Sequence, residues 1–279
     1  MTRKETVLLT GGTGFIGRNL HVELDGPDRS VRDLGRAEPG PYRWQLGDAP
    51  DPGAFQDADV LVHAAFDMRL TEWKDIQKIN IDGTKALFDA AAAAGVTRFI
   101  LISSIAAFEN CESDYGRAKL TCEEIAEPHG ACIMRPGLVY GEQSGGVYAA
   151  MENWVKSLPV TPILTPSPNL YMCHVADLCA LIREIVDRPP WNPRTVTVAC
   201  PTPLGFKDVV GILQARHGVR KPLLPVPWRL PWLACKTLEV VGLQPPFRSD
   251  GLVGLMRGNP QPDFSALREF GTSFRSLDR

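Results

Sequence analysis

The sequence predicts an α/β protein: a doubly wound parallel sheet followed by a smaller, irregular C-terminal region. Three observations carry this. Apolar runs of strand length alternate with helical segments through the first half of the chain, the rhythm of a parallel sheet covered on both faces. A glycine-rich turn, Thr10-Gly11-Gly12-Thr13-Gly14-Phe15-Ile16-Gly17, stands between the first apolar run and the first helical segment. After Gly141 the alternation stops, and prolines crowd 159–168, 189–203 and 222–231. The expected organisation is a dinucleotide-binding sheet domain over 1–141, to which the chain returns at about 171–188. A substrate-binding cap is then formed by 142–170 and 189–279.

Taken in order, Thr6-Val7-Leu8-Leu9 reads as a buried parallel strand. Arg18 to Leu24 reads as a helix, with Leu20 and Leu24 four apart and Gly26-Pro27 as the stop. The glycines therefore sit where a strand hands over to a helix, the context that makes such a turn a phosphate site. Gly11 can take backbone angles barred to other residues, Gly14 lets a pyrophosphate approach the main chain, and Gly17 lets helix and strand pack closely. The helix start adds unpaired N–H groups and a partial positive charge. Further strands are expected at Ser30–Leu34, Tyr42–Leu46, Asp59–Ala65, Thr97–Ser103 and Ala131–Arg135. A long helix is expected over Trp73–Ala94, ended by Gly95, and another over Asp114–Ala126, stopped by Pro128.

Composition narrows the function classes. The chain has 279 residues, 44% of them hydrophobic, 22% charged, and a formal net charge of −2. That is long enough for a full core and too evenly charged for a nucleic-acid binder. No apolar run reaches membrane-spanning length, and Met1 to Glu5 leads into the first strand without a signal peptide's apolar core. The seven cysteines have no paired metal-ligand spacing and read as reduced thiols. The expectation is a cytoplasmic protein with a small-molecule partner, without nucleic acid, membrane or metal.

Tyr115-Gly116-Arg117-Ala118-Lys119 places a phenol and an ammonium four residues apart, on one helix face. Tyrosine has an unperturbed pKa of ~10, so acid/base work near neutrality asks for a shift of roughly 3 units, or about 4 kcal/mol. One cation at ~4 Å supplies on the order of 4 kcal/mol at an effective dielectric of ~20. Upstream, Ser103-Ser104 ends the fifth expected strand, at the edge where open α/β sheets bind ligands. A serine hydroxyl there can hold the substrate oxygen that exchanges a proton with Tyr115.

With these pieces in register the chain resembles the extended short-chain dehydrogenase/reductases, also described as NAD-dependent epimerase/dehydratases, enzymes of the Rossmann fold. The matching segments are Thr10 to Gly17, Gly47-Asp48, Asp59 to Ala65, Asn80 to Thr84, Ser103-Ser104, Tyr115 to Lys119, Arg135 to Gly141 and His174 to Leu178. They cover roughly residues 5–180 well and the remainder loosely. The resemblance implies that Gly11, Gly14, Phe15, Ile16 and Gly17 cradle the pyrophosphate and Asp48 meets the adenine. It implies that Ala64 and Ala65 line the coenzyme and that Pro136 and Leu138 lie along the nicotinamide. Tyr115 is then the general acid/base, Lys119 its pKa partner and a ribose ligand, and Ser104, rather than Ser103, the catalytic serine. Asn80 is expected to tie backbones together, and His174 and Asp177 to fix the chain's return from the cap.

Three departures refine this. Where NAD-preferring members carry an acid at the tip of the second strand, this chain has Gly35 followed by Arg36, which favours NADP; Asp33 reaches the same place if the strand sits one pleat off. Ser104 is followed by Ile105-Ala106, not the Asp-Glu pair of sugar dehydratases, which argues against dehydration. Ten residues separate Ser104 from Tyr115, a tight link for a nucleotide-sugar pocket. The expected function is NADP-preferring oxidoreduction of a secondary alcohol or ketone on a small or medium organic substrate. The alternatives are an epimerase using the same Ser-Tyr-Lys site and a non-catalytic NADP-binding sensor or assembly subunit. A homodimer paired through the long helices is one arrangement open to it.

Overall fold

The computed structural model describes residues 3–36, 42–188, 190–243, 245 and 248–278. Strand β1 (Glu5–Thr10) leads through the glycine turn into α1 (Phe15–Leu24) and back to β2 (Arg29–Leu34). β3 (Val60–His63) is followed by a helical run made of α2 (Trp73–Ile76), one wide π turn (Gln77–Ile81) and α3 (Asp82–Ala93). Then come β4 (Arg98–Ile102), α4 (Asp114–Ala126) and β5 (Ala131–Pro136). β6 (Leu138–Tyr140), α5 (Gly146–Ser157), β7 (Thr161–Thr165), β8 (Asn169–Leu170) and β9 (Met172–His174) lead to α6 (Val175–Asp187). The chain ends with β10 (Thr195–Val198), β11 (Leu204–Gly205), α7 (Phe206–Arg216), β12 (Leu223–Pro227), α8 (Arg229–Val240) and α9 (Ser249–Met256).

Six strands make one parallel sheet in the order β2-β1-β3-β4-β5-β10. Alternation of side chains sends Val7, Leu9, Val62, Ile100 and Met134 to one face, against α1 and α6. Leu8, Leu61, Phe99, Leu101 and Ile133 go to the other, against α3 and α4. Because both faces are covered, the strands read as continuous apolar runs rather than alternating ones. A third apolar cluster, with Met151, Val155, Phe206, Val210 and Leu252, holds the cap.

Two expectations are corrected. Tyr42–Leu46 is not a strand: it makes a single bridge, Arg43 to Gly35, with Trp44 N–H donating to Gly35 O at 3.1 Å. Trp44 and Leu46 instead turn into the core, and Trp44 Nε1 donates to Asp48 O at 3.0 Å, closing a turn where a strand would have to stay extended. The sixth strand is β10, in the stretch assigned to the cap; it pairs β5 from Thr195↔Ile133 to Val198↔Pro136. The resulting order changes direction between β1 and β3, and ligands of open α/β sheets sit at the carboxyl ends beside such a switch point.

Candidate active site

The glycine turn has the shape its sequence asks for. Gly11 has φ +74°, and a Cβ there would lie 2.7 Å from Ala65 N and 2.8 Å from the Ala64 carbonyl carbon. Gly17 is tighter: a Cβ would meet Gly11 O at 2.0 Å. Gly14 N–H donates back to Gly11 O at 2.9 Å and caps α1 without any side-chain partner. Phe15 and Ile16 pack their side chains onto the sheet face below. The turn is thus pressed against β3 and α1 by the absence of side chains, with the N-terminus of α1 left bare at the carboxyl edge. That cradle, which any Cβ would fill, fits a dinucleotide pyrophosphate.

Ser104, Tyr115 and Lys119 converge at the same edge, two strands over. The Ser104 side chain neighbours the Tyr115 hydroxyl and pulls the phenol's pKa down, and the Ser104 Oγ accepts Ala106 N–H at 3.2 Å. Ser103 is spoken for: its hydroxyl donates to Glu123, which also holds Arg135 at 2.5–3.1 Å. Lys119 is buried and donates to Ile102 O at 2.7 Å. Phe66, in the loop after β3, packs against both: its ring lies 4.5 Å from Lys119 Nζ, and 5.3 Å from the Tyr115 ring at 88°.

Burial dominates the protonation of this group. The Tyr115 phenol is pushed up to about 12, first by loss of solvent; the Ser104 side chain pulls the other way and Cys122 pushes it higher. Lys119 is pulled down to about 8, again by burial, against the opposing pull of Cys122 and Glu123. The expected lowering of Tyr115 by Lys119 is therefore absent here. The ammonium is committed to a carbonyl and an aromatic face, and it is itself poorly solvated.

Beneath the turn runs a fully partnered polar chain. Thr84 Oγ1 donates to Asn80 O at 2.6 Å and so accepts from His63 Nε2 at 3.0 Å. His63 Nδ1 is left as the acceptor for the Thr10 hydroxyl at 2.7 Å, and Thr10 Oγ1 accepts Ala65 N–H at 3.2 Å. The bonding pattern fixes the neutral Nε2–H tautomer. Burial, helped by the Lys119 charge, drives the imidazole down to about 3. Asn80, as expected, ties backbones: it accepts Asp67 N–H at 2.8 Å and donates to Asp67 O at 3.2 Å. The π turn around Asn80 frees the geometry for these bonds, a common use of such turns near functional sites.

The cap is locked to the site by Arg248 and Asp250, with Ser249 between them anchored within the cap. Arg248 Nη1 donates to Met68 O at 3.2 Å and to Leu70 O in the loop after β3. Ser249 donates through N–H and hydroxyl to Glu239 at 2.8 and 2.6 Å. Asp250 accepts Asp114 N–H at 2.8 Å and Tyr115 N–H at 3.0 Å, so a cap carboxylate sits on the positive end of the tyrosine-bearing helix. Gly116 completes the joint, since a Cβ there would lie 2.3 Å from Ala106 O.

The remaining expected positions distribute as follows. Ala64 and Ala65 follow β3 against the glycine turn, and Pro136 ends β5, its carbonyl accepting Ile105 N–H at 2.9 Å. Leu138 begins β6 and packs toward the cap. Asp48 is exposed just after Gly47, which Gly83 lets settle on the helix: a Cβ on Gly83 would meet Gly47 N at 2.7 Å. Arg36 is exposed beyond β2; the Asp67 carboxyl is held below its usual range mainly by Arg69, with Arg36 adding to the effect. Asp33 abuts Gly12, where a Cβ would lie 2.1 Å from its Oδ1, and it pairs with His21 at 2.8 Å. His174 caps α6 by accepting Ala176 N–H at 3.2 Å, and Asp177 binds the Arg275 side chain and backbone N–H. Among the described residues no cluster could hold a metal ion, and no helix is long and apolar enough to cross a membrane.

Comparison with known proteins adds the family context. The family model described as "NAD dependent epimerase/dehydratase family" matches residues 7–199. A protein named ceramide reductase from Caulobacter vibrioides is 34% identical over 188 residues, 62% of this chain and 58% of its own length. An N-acetyl-alpha-D-glucosaminyl-diphospho-ditrans,octacis-undecaprenol 4-epimerase from Escherichia coli O157:H7 is 28% identical over 177 residues, 53% of each chain. The match thus spans little more than half of these relatives. TunA, described as an NAD-dependent NDP-hexosamine 5,6-dehydratase, has the same fold at 17% identity, with a TM-score of 0.73 over 99% of this chain and 94% of its own.

Proposed function

Since this chain belongs to the NAD-dependent epimerase/dehydratase family, we propose that it is a nicotinamide-dependent oxidoreductase interconverting a secondary alcohol and a ketone. The observation that carries this reading is the Ser104 side chain beside the buried Tyr115 phenol, one helical turn from buried Lys119, on the edge that also presents the glycine turn. Gly11, Gly14, Phe15, Ile16 and Gly17 hold the pyrophosphate against the α1 N-terminus; Ala64, Ala65, Pro136 and Leu138 line the way to the nicotinamide, and Asp48 flanks the adenine. The bound coenzyme supplies or accepts the hydride. Ser104 orients the substrate oxygen, and Tyr115 gives it a proton in reduction or takes one in oxidation. Lys119 stands behind Tyr115, fixed by the Ile102 carbonyl and Phe66, and reaches the ribose.

The preferred coenzyme in this reading is NADP. Gly35 offers no carboxylate at the tip of β2, Arg36 follows it in the open, and Asp33 is engaged by His21. The substrate class we assign is a carbonyl on a long-chain, amphipathic molecule. Both relatives named above carry a lipid in their names. The second of those names also supports an epimerase, which would oxidise and re-reduce one carbon without releasing its coenzyme.

The test is loss of NADPH absorbance against short- and long-chain ketones, for the protein and for Tyr115→Phe. The reading expects turnover in the first and coenzyme binding without turnover in the second. Unchanged turnover in Tyr115→Phe would remove the phenol from the reaction, and coenzyme that co-purifies and never exchanges would favour the epimerase.

A further inference from the structure

Helix α8 turns an apolar side to solvent. Leu230, Leu233, Val240 and Val241 are 60, 57, 76 and 63% exposed, and Leu243 just beyond is 58% exposed. At helical spacing Arg229, Leu233, Lys236 and Val240 form one stripe, and Leu230, Ala234, Thr237 and Val241 the next. The Thr237 hydroxyl is satisfied by Leu233 O at 2.9 Å, so it makes no polar demand on what covers it. Cys235 is buried on the opposite side. Glu239, the acid of this helix, faces inward to Ser249. The outward side is therefore leucine and valine with Arg229 and Lys236, without a carboxylate. Single exposed leucines are ordinary, but a contiguous set on one helix marks a contact surface.

We propose that α8 lies on an anionic lipid bilayer, its apolar stripes in the headgroup–acyl boundary and Arg229 and Lys236 against acidic headgroups. Charge selects this occupant over a second copy of the chain. A two-fold contact through this face would bring Arg229 and Lys236 from both copies into one interface, with no carboxylate on the face to offset the four cations. The sequence reading expected no membrane partner because no apolar run is long enough to span a bilayer; lying on a bilayer is a different demand, and here the proposal departs from that expectation. The docked helix is also coupled to the site. Glu239 at its end holds Ser249, and the neighbouring residues Arg248 and Asp250 hold the loop after β3 and the backbone of Tyr115. A long-chain substrate leaving the bilayer beside α8 meets the cleft across that joint, so the purpose of docking rests on the substrate reading above.

The experiment is sedimentation of the full chain with phosphatidylcholine vesicles, with and without about one third phosphatidylglycerol. The expected result is about tenfold or greater enrichment on the anionic vesicles. Leu233→Asp with Val240→Asp should lose it at least about tenfold, and Arg229→Glu with Lys236→Glu should lose the anionic preference. Circular dichroism and turnover of a short-chain ketone should be unchanged in both. Wild-type protein that stays in the supernatant, or variants that sediment as the wild type does, would overturn the proposal. So would a dimer in sedimentation velocity that the aspartate pair converts to monomer. Vesicle binding without turnover of any ketone leaves docking supported and sinks the substrate reading; turnover of long-chain ketones in detergent without vesicle binding does the reverse.

Discussion

At Tyr115 two physical effects oppose each other, burial and the pull of Ser104, and their balance sets the phenol's protonation. Burial raises the phenol to about 12, which keeps it protonated and able to donate. Removing the hydroxyl should leave the fold and coenzyme binding intact and reduce kcat by roughly 10²–10⁴, the range for a lost general acid; stopped-flow and coenzyme fluorescence titration separate the two. If the proposed NADP preference holds, Arg36→Ala should raise KM for NADPH by about tenfold or more and leave NADH nearly unchanged, since NADH has no 2′-phosphate for the guanidinium to meet; an equal effect on both would point to Asp33 instead. His63 makes a different prediction. Its pKa is about 3 in the fold and ~6.5 in the unfolded chain, so the unfolded state binds the extra proton between those values. Its contribution to stability is complete above pH 6.5 and falls by about 1.4 kcal/mol per pH unit below it, down to about pH 3. Urea midpoints from pH 7 to 4 in wild type and His63→Asn check this; the variant should show a shallower acid slope.

The elements show why some of this was legible in the chain and some was not. α4 follows from its sequence because Ser113 caps it and Pro128 stops it, and the helix from Trp73 ends beside Gly95 at φ +92°. The segment at Tyr42–Leu46 misleads because its alternating apolar residues, Trp44 and Leu46, look like one face of a strand. They serve a turn that packs on α3, and only the missing hydrogen-bond partners distinguish the two. β10 was hidden for the opposite reason: Thr195–Val198 is short and surrounded by prolines, and pairing with β5 is a long-range fact. The shape of the glycine turn and the meeting of Ser104, Tyr115 and Lys119 at one sheet edge were readable because each rests on a local spacing of fixed residue types; the roles given to them belong to the proposal. Phe66 and Asp250 were not, since a lone aromatic in a loop and a lone acid in the first turn of a helix carry no spacing signature. Asp250→Ala tests the joint: two charge-assisted bonds to the α4 N-terminus are lost, at a cost of about 1–3 kcal/mol. We expect KM to rise more than kcat falls, with Asp250→Asn recovering part of both.

Across the whole molecule, the last stretch of chain binds the two bodies together. Phe264, Phe270 and Phe274 pack on the sheet face with α6, whereas Leu277 is fully buried in the cap cluster. Arg275, between them, is tied to Asp177. Leu277→Ala should therefore cost about 2–4 kcal/mol, the range of a core leucine despite its place near the C-terminus; a denaturant midpoint close to wild type would show that the cap holds without it.

The seven thiols give this architecture a built-in clock. All are buried and unpaired, and burial raises Cys132, Cys173, Cys179 and Cys235 above the ordinary thiol range, so an alkylating reagent finds little thiolate in the native protein. Labelling must wait for opening. Cys235 belongs to the cap cluster, and Cys132, Cys173 and Cys179 to the sheet. The order in which peptides acquire the label by mass spectrometry would then time which body loosens first, and whether lipid or coenzyme slows one, the other or both.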